Sequence, residues 1–100
     1  MIIAIDYDDT YTKDPDLWLM FIDAALEKGH QVIVATMRAP YQKNTMDTRL
    51  VEKIPVYFTN SKAKKPELAT KGINPDIWID DSPHYVNENH WTYKMQYGIT

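Results

Sequence analysis

Three acids in four positions, Asp6, Asp8 and Asp9, open the chain's only dense run of reactive side chains, and Thr10 closes it. A second acid pair, Asp80-Asp81, lies far downstream. Between them come Thr36 and Arg38, then three cations close together, Lys62, Lys64 and Lys65. Carboxylates gathered this way suit general acid-base work, nucleophilic attack or the holding of a cation. Two like charges about 4 Å apart repel by roughly 4 kcal/mol at an effective dielectric near 20. A shared site for these acids therefore requires protons on some of them or a cation among them. Magnesium, a hard ion held by carboxylates, water and phosphate oxygens, is the expected cofactor. The chain has no cysteine, and His30, His84 and His90 are scattered, so nothing points to a softer metal. Each histidine reads as a surface or structural residue.

Short apolar runs must carry these groups. Ile2–Ile5, Val32–Ala35, Val56–Phe58 and Ile77–Ile79 are each followed by polar residues. Unbroken β-branched runs of this length read as strands buried on both faces, as in a parallel sheet. The gaps are long enough for helices, which predicts βα units and a three-layer, Rossmann-like α/β/α domain with a mainly parallel sheet. In such sheets the carboxyl ends of the strands bind ligands. That edge is where Asp6, Asp8, Thr36, Asp80 and Asp81 fall.

The first gap carries the clearest helix, with Asp14 as N-cap, Pro15 at its first position and Gly29 as its stop. Leu17, Trp18, Phe21, Ile22, Ala25 and Leu26 share one face at helical spacing. The second gap predicts a helix from Asn44 through Lys53, with Asp47 in the capping-box position. The third predicts a short helix over Pro66–Lys71 ended by Gly72. After Asp80-Asp81, Ser82 is an N-cap candidate ahead of Pro83. Beyond Asn87 the alternation of Trp91, Tyr93, Met95 and Tyr97 suits an extra strand or a packing arm.

One hundred residues amount to a single domain, 1–100. Its 44% hydrophobic content is that of a soluble globular protein, and a net charge of −3 gives no basic footprint for nucleic acid. No run approaches the roughly 18 apolar residues of a membrane span, and no basic region opens a signal peptide. The expectation is a cytoplasmic protein without a membrane partner.

Taken in order, the strand-end groups resemble the haloacid dehalogenase (HAD) superfamily of aspartate-nucleophile phosphohydrolases. Asp6-Tyr7-Asp8-Asp9-Thr10 resembles its first motif and Val32-Ile33-Val34-Ala35-Thr36 its second. A lysine among Lys62, Lys64 and Lys65 resembles the third, and Ile77-Trp78-Ile79-Asp80-Asp81 the fourth. The likeness spans nearly the whole chain. It implies Asp6 as nucleophile and Asp8 as the acid that protonates the leaving oxygen, then as the base that activates water. Thr36 would bind a phosphate oxygen, with Thr10 and Arg38 beside it, although Arg38 reads equally well as a surface residue. Lys64 is the preferred catalytic lysine because it precedes the proline-bearing helix, with Lys62 and Lys65 as rivals. Magnesium would be held by Asp6, by the carbonyl of Asp8, and by Asp80 and Asp81, without a choice between the last two for direct contact. Asp9 reads as a solvated loop acid.

Cap domains, frequent in this superfamily, have no room here. The excursion over Tyr7–Lys13 is short, and one helix and one strand fill the stretch from Thr36 to the lysines. A capless site admits bulky phosphorylated substrates, with a nucleotide or a polynucleotide end as the first expectation. Cover from a neighbouring subunit in a homo-oligomer is the other route. The leading expectation is a magnesium-dependent phosphatase working through an aspartyl phosphate. Against it stand a catalytically silent, metal- or nucleotide-binding regulatory protein and a phospho-accepting receiver domain. The receiver pattern places its acid pair after the first strand and a lone acid after the third, whereas this chain has Thr59-Asn60 after the third and an acid pair after the fourth.

Overall fold

The computed structural model describes residues 1–91. Four strands form one all-parallel sheet: β1 (Ile2–Ile5), β2 (Gln31–Thr36), β3 (Val56–Phe58) and β4 (Ile77–Ile79). Their order is β3-β2-β1-β4, so β1 is flanked on both sides. Ile5 stands beside Val34 on one side and Ile79 on the other. That register brings the ends of β1 and β4 level, and the Asp6 N–H donates to the Ile79 carbonyl at 2.9 Å.

Alternation along the strands sorts side chains onto two faces. Ile3, Ile5, Val32 and Val34 pack on one face against Ile22 and Ala25 of α1 (Pro15–Glu27) and Leu50 of α2 (Thr48–Val51). Ala4, Ile33 and Ala35 pack on the other face against Leu68 of α3 (Lys64–Ala69). A further short helix, α4 (His84–Asn87), lies against α3. Helices thus cover both faces of a parallel sheet, the Rossmann-like arrangement expected from the four apolar runs. No helix among the described residues is long and apolar enough to cross a membrane.

Helix α1 starts as its residues predict. The Asp14 carboxylate accepts from the Leu17 N–H at 3.2 Å, Pro15 fills the first position, and Gly29 follows with φ +87°. Its inward face is narrower than predicted, because Leu17 and Leu26 are 51% and 39% exposed. The second gap departs further. In place of one helix from Asn44 to Lys53, a 3-10 helix over Pro40–Thr45 precedes the four-residue α2. Asp47 caps α2 instead of standing three residues inside it, and its carboxylate accepts from the Arg49 N–H at 3.0 Å. A tertiary contact fixes that choice, since the same carboxylate also accepts from the Tyr11 hydroxyl at 2.8 Å.

Helix α3 spans Lys64–Ala69, beginning and ending two residues before the predicted Pro66–Lys71. Pro66 sits in the first turn, where the missing N–H has no intrahelical partner to lose. Ser82 does not cap α4 with its side chain; Pro83 holds the N-cap position. Of the alternating tail, Trp91 is 69% exposed, and Tyr93, Met95 and Tyr97 lie outside the described residues.

Candidate active site at the carboxyl edge of the sheet

The site starts where β1 runs out. Asp6, 9% exposed, is the first residue past the strand. Tyr7 then turns into the first core face, stacked on Tyr11 at 5.5 Å between ring centroids. The Tyr7 hydroxyl accepts from the Asp47 N–H at 2.9 Å, so the loop after β1 is anchored to the start of α2. Asp9 takes a left-handed φ of +62° and its N–H donates to Thr12 Oγ1 at 2.9 Å. A tight turn therefore follows Asp8, and it returns Thr10 beneath Asp6.

Thr10 is buried between acids. Its Oγ1 lies 3.1 Å from Asp6 Oδ2 and 3.1 Å from Asp81 Oδ1, and it accepts from the Asp81 N–H at 3.1 Å. The residue thus ties the end of β1 to the end of β4. It lies outside the lining of the cavity described below.

Lys64 reaches the same place from the start of α3. Its Nζ donates to Asp6 Oδ1 at 2.8 Å and to Asp80 Oδ2 at 2.5 Å, and the side chain is 3% exposed. Lys62 and Lys65, the rivals in sequence, are exposed. Two consecutive left-handed residues, Asn60 (φ +51°) and Ser61 (φ +69°), make the turn ahead of Lys64. Such conformations are sparsely populated by non-glycine residues and cluster where a site constrains the chain.

Asp6, Asp80 and Asp81 each offer a carboxylate oxygen, and these oxygens lie within 4.8 Å of one another. Three carboxylates face one ammonium. Burial pushes the Asp6 carboxyl up to about 7 despite the pull of Lys64. Asp81 goes the other way: burial raises it, but hydrogen bonds from Asp6 and Thr10 lead a larger set of favourable interactions that leave it lowered. Asp6 therefore keeps its proton up to about pH 7. An all-oxygen donor set with surplus negative charge fits a hard divalent cation, which would replace that proton.

Asp8 stands apart from this cluster. Arg38 grips its carboxylate with Nη2 at 2.7 Å and Nε at 2.9 Å, while Nη1 donates to Thr45 Oγ1 at 2.9 Å. The guanidinium lies 5.0 Å from the centroid of the Tyr7 ring. Thr36, 1% exposed, ends β2; its Oγ1 accepts from the Arg38 N–H at 3.2 Å. A cavity of about 330 Å³ opens above these groups, lined by Asp6, Asp8, Asp9, Thr36, Lys64, Asp80 and Asp81. No protein-family model matches the chain, and no curated protein or solved structure does.

The structure thus brings together Asp6, Thr10, Thr36, Lys64, Asp80 and Asp81, and holds Asp8 with Arg38 at the rim. Asp9 is a rim acid, its side chain 71% exposed and 4.0 Å from Lys13. Sequence reasoning missed Met37, Ser82, Tyr85 and His90, which complete the lining. A usable signal was present: the residues after Asp80-Asp81 must leave from the same sheet edge, so a helix there borders the site.

Proposed function

We propose that this chain is a HAD-type phosphomonoester hydrolase that uses magnesium and forms an aspartyl phosphate on Asp6. The observation that carries the reading is the Lys64 ammonium seated between Asp6 and Asp80, with Asp81 alongside, beneath an open cavity at the strand ends. A phosphoryl group placed there meets a nucleophile, a fixed cation and a hydroxyl donor, and catalysis of its transfer is mostly positioning and charge stabilisation.

Asp6 Oδ attacks phosphorus, forming the Asp6 O–P bond as the ester P–O bond breaks. Lys64 steadies the developing charge, and the Thr36 hydroxyl, whose oxygen already accepts from Arg38, has its proton to donate to a phosphate oxygen. The leaving oxygen takes a proton from Asp8. Water then attacks phosphorus, Asp8 accepts its proton, and Asp6 departs as carboxylate. In its pair with Arg38, Asp8 only accepts hydrogen bonds, so its part requires Arg38 to let go and turn to the phosphate. Magnesium held by Asp6, Asp80 and Asp81 and by the Asp8 carbonyl supplies charge neutralisation at the phosphoryl oxygens. The test is phosphate release from a panel of phosphomonoesters, with magnesium and with chelator. Activity that needs the metal and disappears in Asp6→Asn supports the reading, and a silent panel overturns it.

The Asp8–Arg38 pair favours a second reading. With its expected proton donor held by an arginine, the chain would be a catalytically silent metal- or nucleotide-binding regulator. Tight binding by calorimetry with no hydrolysis would select it.

A further inference from the structure

Resting on the hydrolase reading above, we propose that Tyr85 and His90 form a leaving-group subsite for a planar ring system, so that the substrate is a phosphate ester of a nucleoside or a similar ring-bearing alcohol. In-line transfer to Asp6 points the ester oxygen away from the nucleophile. The alcohol must then take the rest of the cavity, whose lining besides the acids, Thr36 and Lys64 is Met37, Ser82, Tyr85 and His90. The two rings lie 5.3 Å apart between centroids at 38°, and each side chain is half-buried. A polarizable thioether and two flat rings suit a ring system, because every base presents a π-face to such a wall.

This wall is built onto the catalytic frame. Tyr85 belongs to α4, which leaves from the Asp80-Asp81 end of β4 and packs on α3. The His90 N–H donates to the Ser61 carbonyl at 3.0 Å, and Asn89 Oδ1 accepts from the Ala63 N–H at 2.6 Å. Those two bonds fasten the His90 segment to the loop that delivers Lys64. The ring subsite and the phosphate subsite are therefore held in one fixed spacing, a condition for reading a ring at a set distance from phosphorus.

The experiment uses the full chain and the variants Tyr85→Leu and His90→Leu, which keep bulk and lose the tyrosine or histidine ring. With magnesium, kcat and KM are measured for a nucleoside monophosphate, p-nitrophenyl phosphate and glycerol phosphate. The expected result is a KM at least about tenfold lower for ring-bearing esters, an advantage abolished in both variants through losses on those esters larger than any change on glycerol phosphate. A larger preference for the nucleoside ester over the nitrophenyl ester identifies a nucleoside as the source of the ring, and the reverse identifies a smaller aryl group. No preference in the native chain, or equal losses on all three esters, overturns the subsite. If no ester is hydrolysed, the hydrolase reading fails separately. Calorimetry of the nucleoside monophosphate against inorganic phosphate then decides: tighter binding of the nucleotide that Tyr85→Leu removes supports the ring subsite, and equal affinities refute it.

Discussion

The Lys64 ammonium lies 2.8 Å from Asp6 Oδ1 while both side chains are almost wholly removed from water, at 3% and 10% exposure. The same ammonium pairs with Asp80 at 2.5 Å, where both side chains are 3% exposed, and removing it leaves that buried carboxylate uncompensated, at a cost of about 3–5 kcal/mol. Lys64→Met is expected to lower the urea-unfolding free energy of metal-free protein by roughly that amount and to abolish phosphate release. Lys62→Ala and Lys65→Ala, at exposed positions, should stay within about 0.5 kcal/mol of the native chain. An equal effect at all three lysines would remove Lys64 from its assigned role.

Asp6 gives metal-free protein a pH dependence of definite sign. Its carboxyl is raised by burial from 3.8 to about 7. The contribution is present below the unfolded value and is lost as pH rises through the folded one. In chelator, the thermal midpoint should therefore fall between about pH 4 and pH 7, and Asp6→Asn should flatten the decline. A midpoint that climbs through this window in the native chain and not in Asp6→Asn would contradict the protonated Asp6.

On the proposed reading, magnesium would compete with that proton for the same oxygen. Binding near pH 6 should release close to one proton, and binding well above pH 7 should release far fewer. Calorimetry in two buffers of different ionisation enthalpy counts the protons directly. Affinity is expected to weaken by up to about tenfold per pH unit below 7.

Asp47 acts in the opposite direction. Hydrogen bonds from Arg49, more than the burial that opposes them, hold its carboxyl down at about 2. Its contribution is present above the unfolded value and is lost as pH falls from about 4 to 2. Asp47→Asn should shrink the acid-induced loss of stability in that window. Tyr11→Phe, which deletes the hydroxyl bond to the same carboxylate, should cost about 1 kcal/mol in denaturant titration.

These two aspartates mark what the sequence could and could not disclose. Asp6 was readable because its position depends on local facts: a buried β-branched run that ends and a sheet edge where ligands bind. The four strands were readable for the same reason. Asp47 was misplaced within its helix because the deciding partner, the Tyr11 hydroxyl, is 36 residues away. Lys64 stood among three lysines until burial separated them, and burial belongs to the folded chain. The grip of Arg38 on Asp8 joins residues 30 apart and left no periodic trace. Tyr85 and His90 carried no motif, since a binding wall requires only ring-bearing side chains at the right place in space.

Arg38 divides the two functional readings by kinetics. If it leaves Asp8 for the substrate phosphate, Arg38→Gln should lower kcat/KM by about 10–100-fold, the worth of a charge-assisted bond of roughly 1.5–3 kcal/mol. Most of that loss should appear in KM. If Arg38 instead silences Asp8, the substitution should create or raise turnover.

Placing the acid cluster across β1 and β4 also sets a schedule. Asp80 follows Asp6 by 74 positions (80 − 6). At about 5–20 residues per second, that interval is roughly 4–15 s of synthesis. For nearly all of it the growing chain carries Asp6 without its partner acids and without β4, whose Ile79 carbonyl accepts from the Asp6 N–H, and Lys64 arrives only 58 positions after Asp6. On the proposed reading, chemistry at Asp6 would be postponed until Asp80 and Asp81 have been made, and a product ending before them would lack two of the three clustered acids.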